Sequence, residues 1–300
     1  MNKTINSECS ICGDTDNFSI FYRKNFNYRR HLTTKVFSAR RMPDKIHGTI
    51  VRCNICGLVR SLEVIDRKKL NKLYEDSHFT YNSMTDKLSQ TYGHILKEAG
   101  KFVPSKGAFL EIGCGNGFML EEARKLGYKV VRGIEPSIDA IANAEKSVKN
   151  HIVNSILEAD TFNKLKFDLI CAFQVFDHIP DPNNFLAICN KLLKPKGILL
   201  LMNHDVKSAS AKVLGERSPI FDIEHTYLYD QDTIKMILIK NGFGIKKVYS
   251  PKALMSLRYI ARLLPFPKKI KEIISGLKFP LFDTTVQFHP GNLSAIAFKK

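Results

Sequence analysis

Three hundred residues, 44% of them hydrophobic, carry a formal net charge of +17, enough apolar material for one large core and a smaller module. No eighteen-residue apolar run is present and MNKTINSECS has no apolar export stretch, so a cytoplasmic chain without membrane-spanning helices is expected. The charge is uneven, +9 within 21–60 and +7 within 251–300, which anticipates two basic patches facing an anionic partner.

In chain order, Cys9-x-x-Cys12-Gly13 and Cys53-x-x-Cys56-Gly57 come first. Two such pairs in a reducing compartment predict a tetrahedral zinc site with four cysteine ligands rather than disulfides. Four protein ligands leave no open position, so its role is structural. Residues 18–22 and 48–52 read as short strands, with a basic loop between them. A short helix is expected over 66–75 and a linker over 77–81. A longer helix over 84–102, with Leu88, Tyr92, Ile95, Leu96 and Ala99 at helical spacing, is expected across the mouth of a ligand site. Strands near 107–112, 129–134, 150–154, 167–173 and 196–202 then alternate with helices. That is the pattern of an α/β, doubly wound parallel sheet, which binds ligands at the strands' carboxyl ends. Within 251–292, Leu263/Leu264 and Ile270/Ile273/Ile274 mark two amphipathic helices split by Pro265 and Pro267. They read as a helical lid or, alternatively, a basic surface touching lipid. The expected division is 1–78, zinc-binding module and linker helix, and 79–300, a ligand-binding domain with the insert 251–292.

Residues 109–117, FLEIGCGNG, are the most informative stretch. A strand ends in Gly113, Gly115 and Gly117, and an amphipathic segment follows. A dinucleotide fingerprint requires a glycine at 118, where Phe stands, and the Gly-Lys-Ser/Thr of a phosphate-binding loop is missing. The run E-x-G-x-G-x-G resembles motif I of class I S-adenosylmethionine-dependent methyltransferases. Four further segments fit that family in order: Glu135 at the end of the second strand, QVFDHIPDP from Gln174, LLKPKGILLLM over 192–202, and Gly242-Phe243 before a strand at 245–249. The resemblance implies a Rossmann-like sheet whose last strand, near 293–298, is antiparallel. It implies that Glu111, Gly113, Cys114, Gly115 and Gly117 hold the methionine and ribose portions. Glu135 and Pro136 then lie at the ribose, Ser155 and Ile156 at the adenine, and Phe173 and Gln174 at the methionine end.

The cysteine module joined to this core is similar to sugar methyltransferases of polysaccharide and antibiotic pathways, including nucleotide-sugar C-methyltransferases. The resemblance implies a small-molecule sugar or glycan acceptor; the basic patches add that it is anionic, nucleotide-linked or lipid-linked, with peripheral contact at the inner membrane surface as the alternative use of the basic insert. Methylating a sugar hydroxyl or an enolisable carbon requires a base, and histidine is matched to neutral pH. His225 is the first candidate, His178 the second and His204 the third, with Tyr227, Glu224 and Asp205 as partners. An RNA methyltransferase using the basic module is the alternative. Against it, no N/D-P-P-Y/F follows the fourth strand and no Pro-Cys dipeptide occurs.

Overall fold

The computed structural model describes residues 4–26, 46–79, 85–263, 273 and 284–300. Most of the basic loop, with Arg29, Arg30, Arg40 and Arg41, and the insert beyond Leu263 up to 283, apart from Ile273, lie outside the described residues. Among the described residues, no helix is long and apolar enough to cross a membrane.

Two small antiparallel sheets come first. β1 (Thr4–Asn6) pairs with β5 (Glu63–Ile65), while β2 (Phe18–Tyr22), β3 (Ile50–Cys53) and β4 (Val59–Ser61) pair in succession. Helix Arg67–Glu75 follows, its first turn capped by the Asp66 carboxylate, which accepts from the Lys68 and Lys69 N–H groups. Helix Thr85–Gly100 buries Leu88, Tyr92, Ile95, Leu96 and Ala99, the stripe its spacing predicts.

The main sheet comprises β6 (Ala108–Ile112), β7 (Val130–Glu135), β8 (Ile152–Asn154), β9 (Phe167–Phe173), β10 (Leu193–His204), β12 (Phe243–Tyr249) and β15 (Asn292–Lys299), in the order β12-β15-β10-β9-β6-β7-β8. Only β15 runs against the rest, antiparallel to β10 and β12. Every residue of β6 and β9 is buried, as central parallel strands require with helices on both faces. The remaining strands lie elsewhere. β11 (Tyr227–Leu228) joins the N-terminal sheet beside β4. β13 (Ala253–Ser256) and β14 (Thr285–Phe288) pair with each other.

Two local features differ from the sequence expectations. The strand read near 196–202 starts earlier, at Leu193, and carries a bulge where Lys196 takes a left-handed φ of 60° and the register against β9 shifts between Leu193 and Ile198. The insert contributes the β13–β14 ladder as well as helix Leu257–Leu263, so it is not purely helical.

Candidate functional site

A cavity of about 790 Å³ opens at the carboxyl ends of β6, β7, β9 and β10. The glycine loop forms one end. Gly113, Gly115 and Gly117 all hold left-handed φ angles, 69°, 55° and 77°, which is why glycine recurs at alternate positions. A Cβ on Gly113 would come within 2.5 Å of Val175 Cγ2. Gly113, Cys114 and Gly115 line the cavity, but Gly117 does not. Gly117 starts helix Phe118–Lys125, and a Cβ there would press on Ile152 and Val148.

Glu135, the last residue of β7, accepts from the backbone N–H groups of Gly115 and Ser137, each at 2.9 Å. Burial raises its pKa despite these bonds. Glu111 is buried on β6, its Oε2 has no hydrogen-bond partner, and burial together with the Glu135 charge pushes its pKa well above the carboxylate range. An orphaned acidic oxygen suits a cationic ligand, and the neighbouring glycines leave room for one. Pro136, Ser155, Ile156, Phe173 and Gln174 also line the cavity. Gln174 adopts a left-handed φ of 57°, donates its N–H to Met202 O and its Nε2–H to Asn292 Oδ1. Tyr92 stacks on Phe173 with ring centroids 4.5 Å apart, so helix Thr85–Gly100 does border the cavity. The linker fastens across the same end: the Phe79 N–H donates to Asp139 and the Ser137 hydroxyl to Ser77 O.

The other end is built on Asp177, in the single turn Phe176–His178 after β9. Three histidines from three segments surround its fully buried carboxylate. His204, closing β10, donates Nδ1–H to Oδ2 at 2.9 Å. His225 Nε2 lies 3.9 Å from Oδ2, and His178 Nε2 lies 3.7 Å from Oδ1. The imidazoles of His178 and His204 each sit 4.8 Å from that of His225, and all three line the cavity. His225 Nδ1 is 2.7 Å from the carbonyl of Ile220. A carbonyl only accepts, so Nδ1 carries the proton and the Nε2 lone pair faces the carboxylate. His178 Nδ1 bonds the Tyr74 hydroxyl at 3.1 Å. Burial, reinforced by the neighbouring imidazoles, lowers the His225 pKa well below its ordinary value, although Asp177 opposes the shift. Burial alone would raise Asp177. The His204 hydrogen bond and the charges of the surrounding imidazoles outweigh it and hold the carboxyl below its usual range.

Two partners anticipated from sequence sit elsewhere. Tyr227 is buried and does not line the cavity; its hydroxyl donates to Glu8 O at 3.1 Å, because strand pairing turns it toward the N-terminal module. Asp205 is likewise off the cavity, accepting from the Lys207 N–H. Glu224 lines it. Asp177 and Asn292 were not singled out from sequence. Asp177 lies within the QVFDHIPDP signature, next to a histidine that was.

Away from the cavity, the four N-terminal cysteine sulfurs lie within 4.8 Å of one another, Cys9–Cys56 at 3.3 Å and Cys12–Cys53 at 3.5 Å. Gly13 and Gly57, at φ 79° and 80°, turn the chain after each pair. Burial opposes ionisation of Cys53, but the Cys56 and Ile55 N–H groups point at its sulfur and bring its pKa down to about 7. Such a quartet could hold a tetrahedral metal ion.

A methyltransferase-domain family model matches residues 84–248, more than half of the chain. A ubiquinone biosynthesis O-methyltransferase of Rhodopseudomonas palustris (strain TIE-1) is 33% identical over 112 residues, 35% of this chain and 44% of that protein. One from Bradyrhizobium sp. (strain ORS 278) is 31% identical over 159 residues, 48% of this chain and 62% of the relative. The chain thus spans from under half to about three fifths of these relatives. A solved S-adenosylmethionine-dependent methyltransferase from Archaeoglobus fulgidus aligns with TM-score 0.46 and 20% identity, over 70% of this chain and 94% of its own. With the family model covering residues 84–248 and the glycine loop lying at the carboxyl ends of the strands, the chain belongs to the class I S-adenosylmethionine-dependent methyltransferases.

Proposed function

We propose that this methyltransferase acts on a sugar or glycan intermediate bearing an anionic group, and that the histidine–aspartate cluster removes the acceptor's proton. The observation that carries the reading is the convergence of His178, His204 and His225 on buried Asp177, in the same cavity as the glycine loop. S-adenosylmethionine supplies an electrophilic methyl group on a sulfonium. The protein orients the acceptor and takes its proton.

Glu135 is the proposed acceptor for the ribose hydroxyls and Glu111 the proposed acidic partner of the cationic ligand. His225 is the proposed base. It is kept neutral by burial, its Nδ1–H is engaged by Ile220, and its Nε2 is the basic atom. Asp177 stabilises the imidazolium that forms when the proton arrives. His204, held by Asp177 through Nδ1, is the second candidate for that role, and Tyr74 orients His178. Arg67, Lys87 and Arg258 line the cavity and support an anionic handle on the acceptor. We further propose one structural zinc on Cys9, Cys12, Cys53 and Cys56.

The names of the relatives favour a second reading, O-methylation of an aromatic hydroxyl. Methyl transfer from labelled cofactor to nucleotide sugars, to catechol-type phenols and to total RNA separates the readings. Label in a nucleotide sugar, lost in His225→Asn with cofactor binding retained, is the expected result. Label only in phenols or only in RNA sinks the sugar assignment.

A further inference from the structure

The N-terminal sheet is completed by the catalytic half of the chain. β11 belongs to the loop that carries His225 and pairs with β4 through Tyr227 to Arg60 and Leu228 to Val59. Ser61, ending β4, bonds that loop twice. Its N–H donates to Thr226 O and its hydroxyl to His225 O, both at 2.9 Å. The Ser61 carbonyl in turn accepts the Ser7 hydroxyl at 2.6 Å, two residues before Cys9. On the opposite side, the Thr226 N–H donates to Asp177 O at 2.8 Å. Ser61, His225 and Thr226 are all buried. Beside them, Ile220 and Phe221 share one apolar cluster with Ile50 and Val59 of the same small sheet.

A two-residue strand has no stability of its own and takes its place from what pairs with it. Here that partner is β4, joined to β3 by the turn that holds Cys53 and Cys56. We infer that Ser61 is a positioning residue for His225, and that the cysteine module is the scaffold of the acceptor half of the cavity rather than a separate binding unit. The scaffold part stands on the hydrogen bonds alone; the catalytic meaning rests on the reading of His225 as the base.

The test of the scaffold requires no acceptor; only the base assignment draws on the labelled-cofactor assay. Imidazole nitrogen shifts of His225 and amide exchange of Thr226 are followed by NMR on the full chain, with S-adenosylmethionine affinity measured by calorimetry. In Ser61→Ala, Thr226 exchange is expected to accelerate about tenfold, roughly the worth of one buried hydrogen bond. The His225 ring is expected to drift toward a mixture of tautomers while cofactor affinity stays within about twofold. Ser61→Thr restores both signals. Ser19→Ala, which removes a hydroxyl bonded to Asn54 on another strand of the sheet, changes neither. Stripping metal with a chelator reproduces the Ser61→Ala effect at Thr226. Unchanged Thr226 exchange and His225 shifts in Ser61→Ala, with chelation loosening only residues 1–60, overturn the inference. Should Ser61→Ala lose cofactor binding through misfolding, Tyr227→Phe, which removes only the bond to Glu8, carries the same readouts. If His225→Asn retains turnover while Ser61→Ala still frees Thr226, the base assignment falls and the scaffold stands.

Discussion

Asp177 unites residues that the sequence keeps far apart. The histidines near strand ends were legible as candidates, because strand ends are where an α/β sheet presents its chemistry. Their common partner was not, because segments at 178, 204 and 225 meet only in the folded chain. Nor does sequence rank them, since the His225 tautomer is set by the Ile220 carbonyl. Two tests belong at this scale. Below a pH of about 6.5 the unfolded chain protonates its histidines while His225 stays neutral, so stability falls as the pH drops from there toward the folded value. Urea melts are expected to lose more stability on acidification from pH 7 to 5 in the parent than in His225→Asn, the difference being the His225 contribution. Burial and the nearby Glu135 charge raise the Glu111 pKa well above its ordinary value, and a cationic ligand favours its ionised form. Binding of S-adenosylmethionine is then expected to release a proton, read by calorimetry in buffers of different ionisation enthalpy. It also tightens as the pH rises through the Glu111 titration. Glu111→Gln should abolish the release; an unchanged release would place the titrating group elsewhere.

Among the elements, the glycine loop was the most legible, since left-handed backbone at three alternate positions leaves little choice of residue. Gly113→Ala combines backbone strain of roughly 1–3 kcal/mol with a clash against Val175. It is expected to lower the melting temperature and weaken cofactor binding together, whereas Gly127→Ala, whose Cβ would meet only Lys106 at 3.7 Å, should cost strain without affinity. The insert was legible only in part. Its leucine and isoleucine spacing announces helices, but β13 shows no alternation and that of β14, Thr-Val-Gln-Phe, spans only four residues, too short to declare a strand. β11, two residues long, falls below any periodicity signal; only its partner reveals it.

At the scale of the whole molecule, charge patterning was a weaker guide than strand patterning. Arg60 counts toward the N-terminal cluster, yet it is fully buried, its Nε donating to Ser7. Lys299, in the C-terminal cluster, is spent on the carbonyls of Asn190 and Leu193. Formal charge therefore overstates the basic surface. A division near residue 78 follows from composition, but the shared β4–β11 pairing and the Ile50–Phe221 packing cross it. Calorimetry of the full chain is expected to show one cooperative transition, displaced downward by a zinc chelator. Two separate transitions, with only the first sensitive to chelation, would instead make the units independent.

Pairing across that division also imposes a timetable on folding. Ser61 and His225 lie 164 residues apart in sequence. At roughly 5–20 residues per second, a ribosome needs about 10–30 s to deliver the second after the first. Throughout that interval β4 is an open edge, and the apolar face at Ile50 and Val59 has no cover from Ile220 and Phe221. The cysteine turn can close early, from local contacts alone. The histidine end of the cavity therefore forms late, long after its β4 partner has been made, and in the interval the nascent chain is exposed to aggregation and proteolysis at that edge.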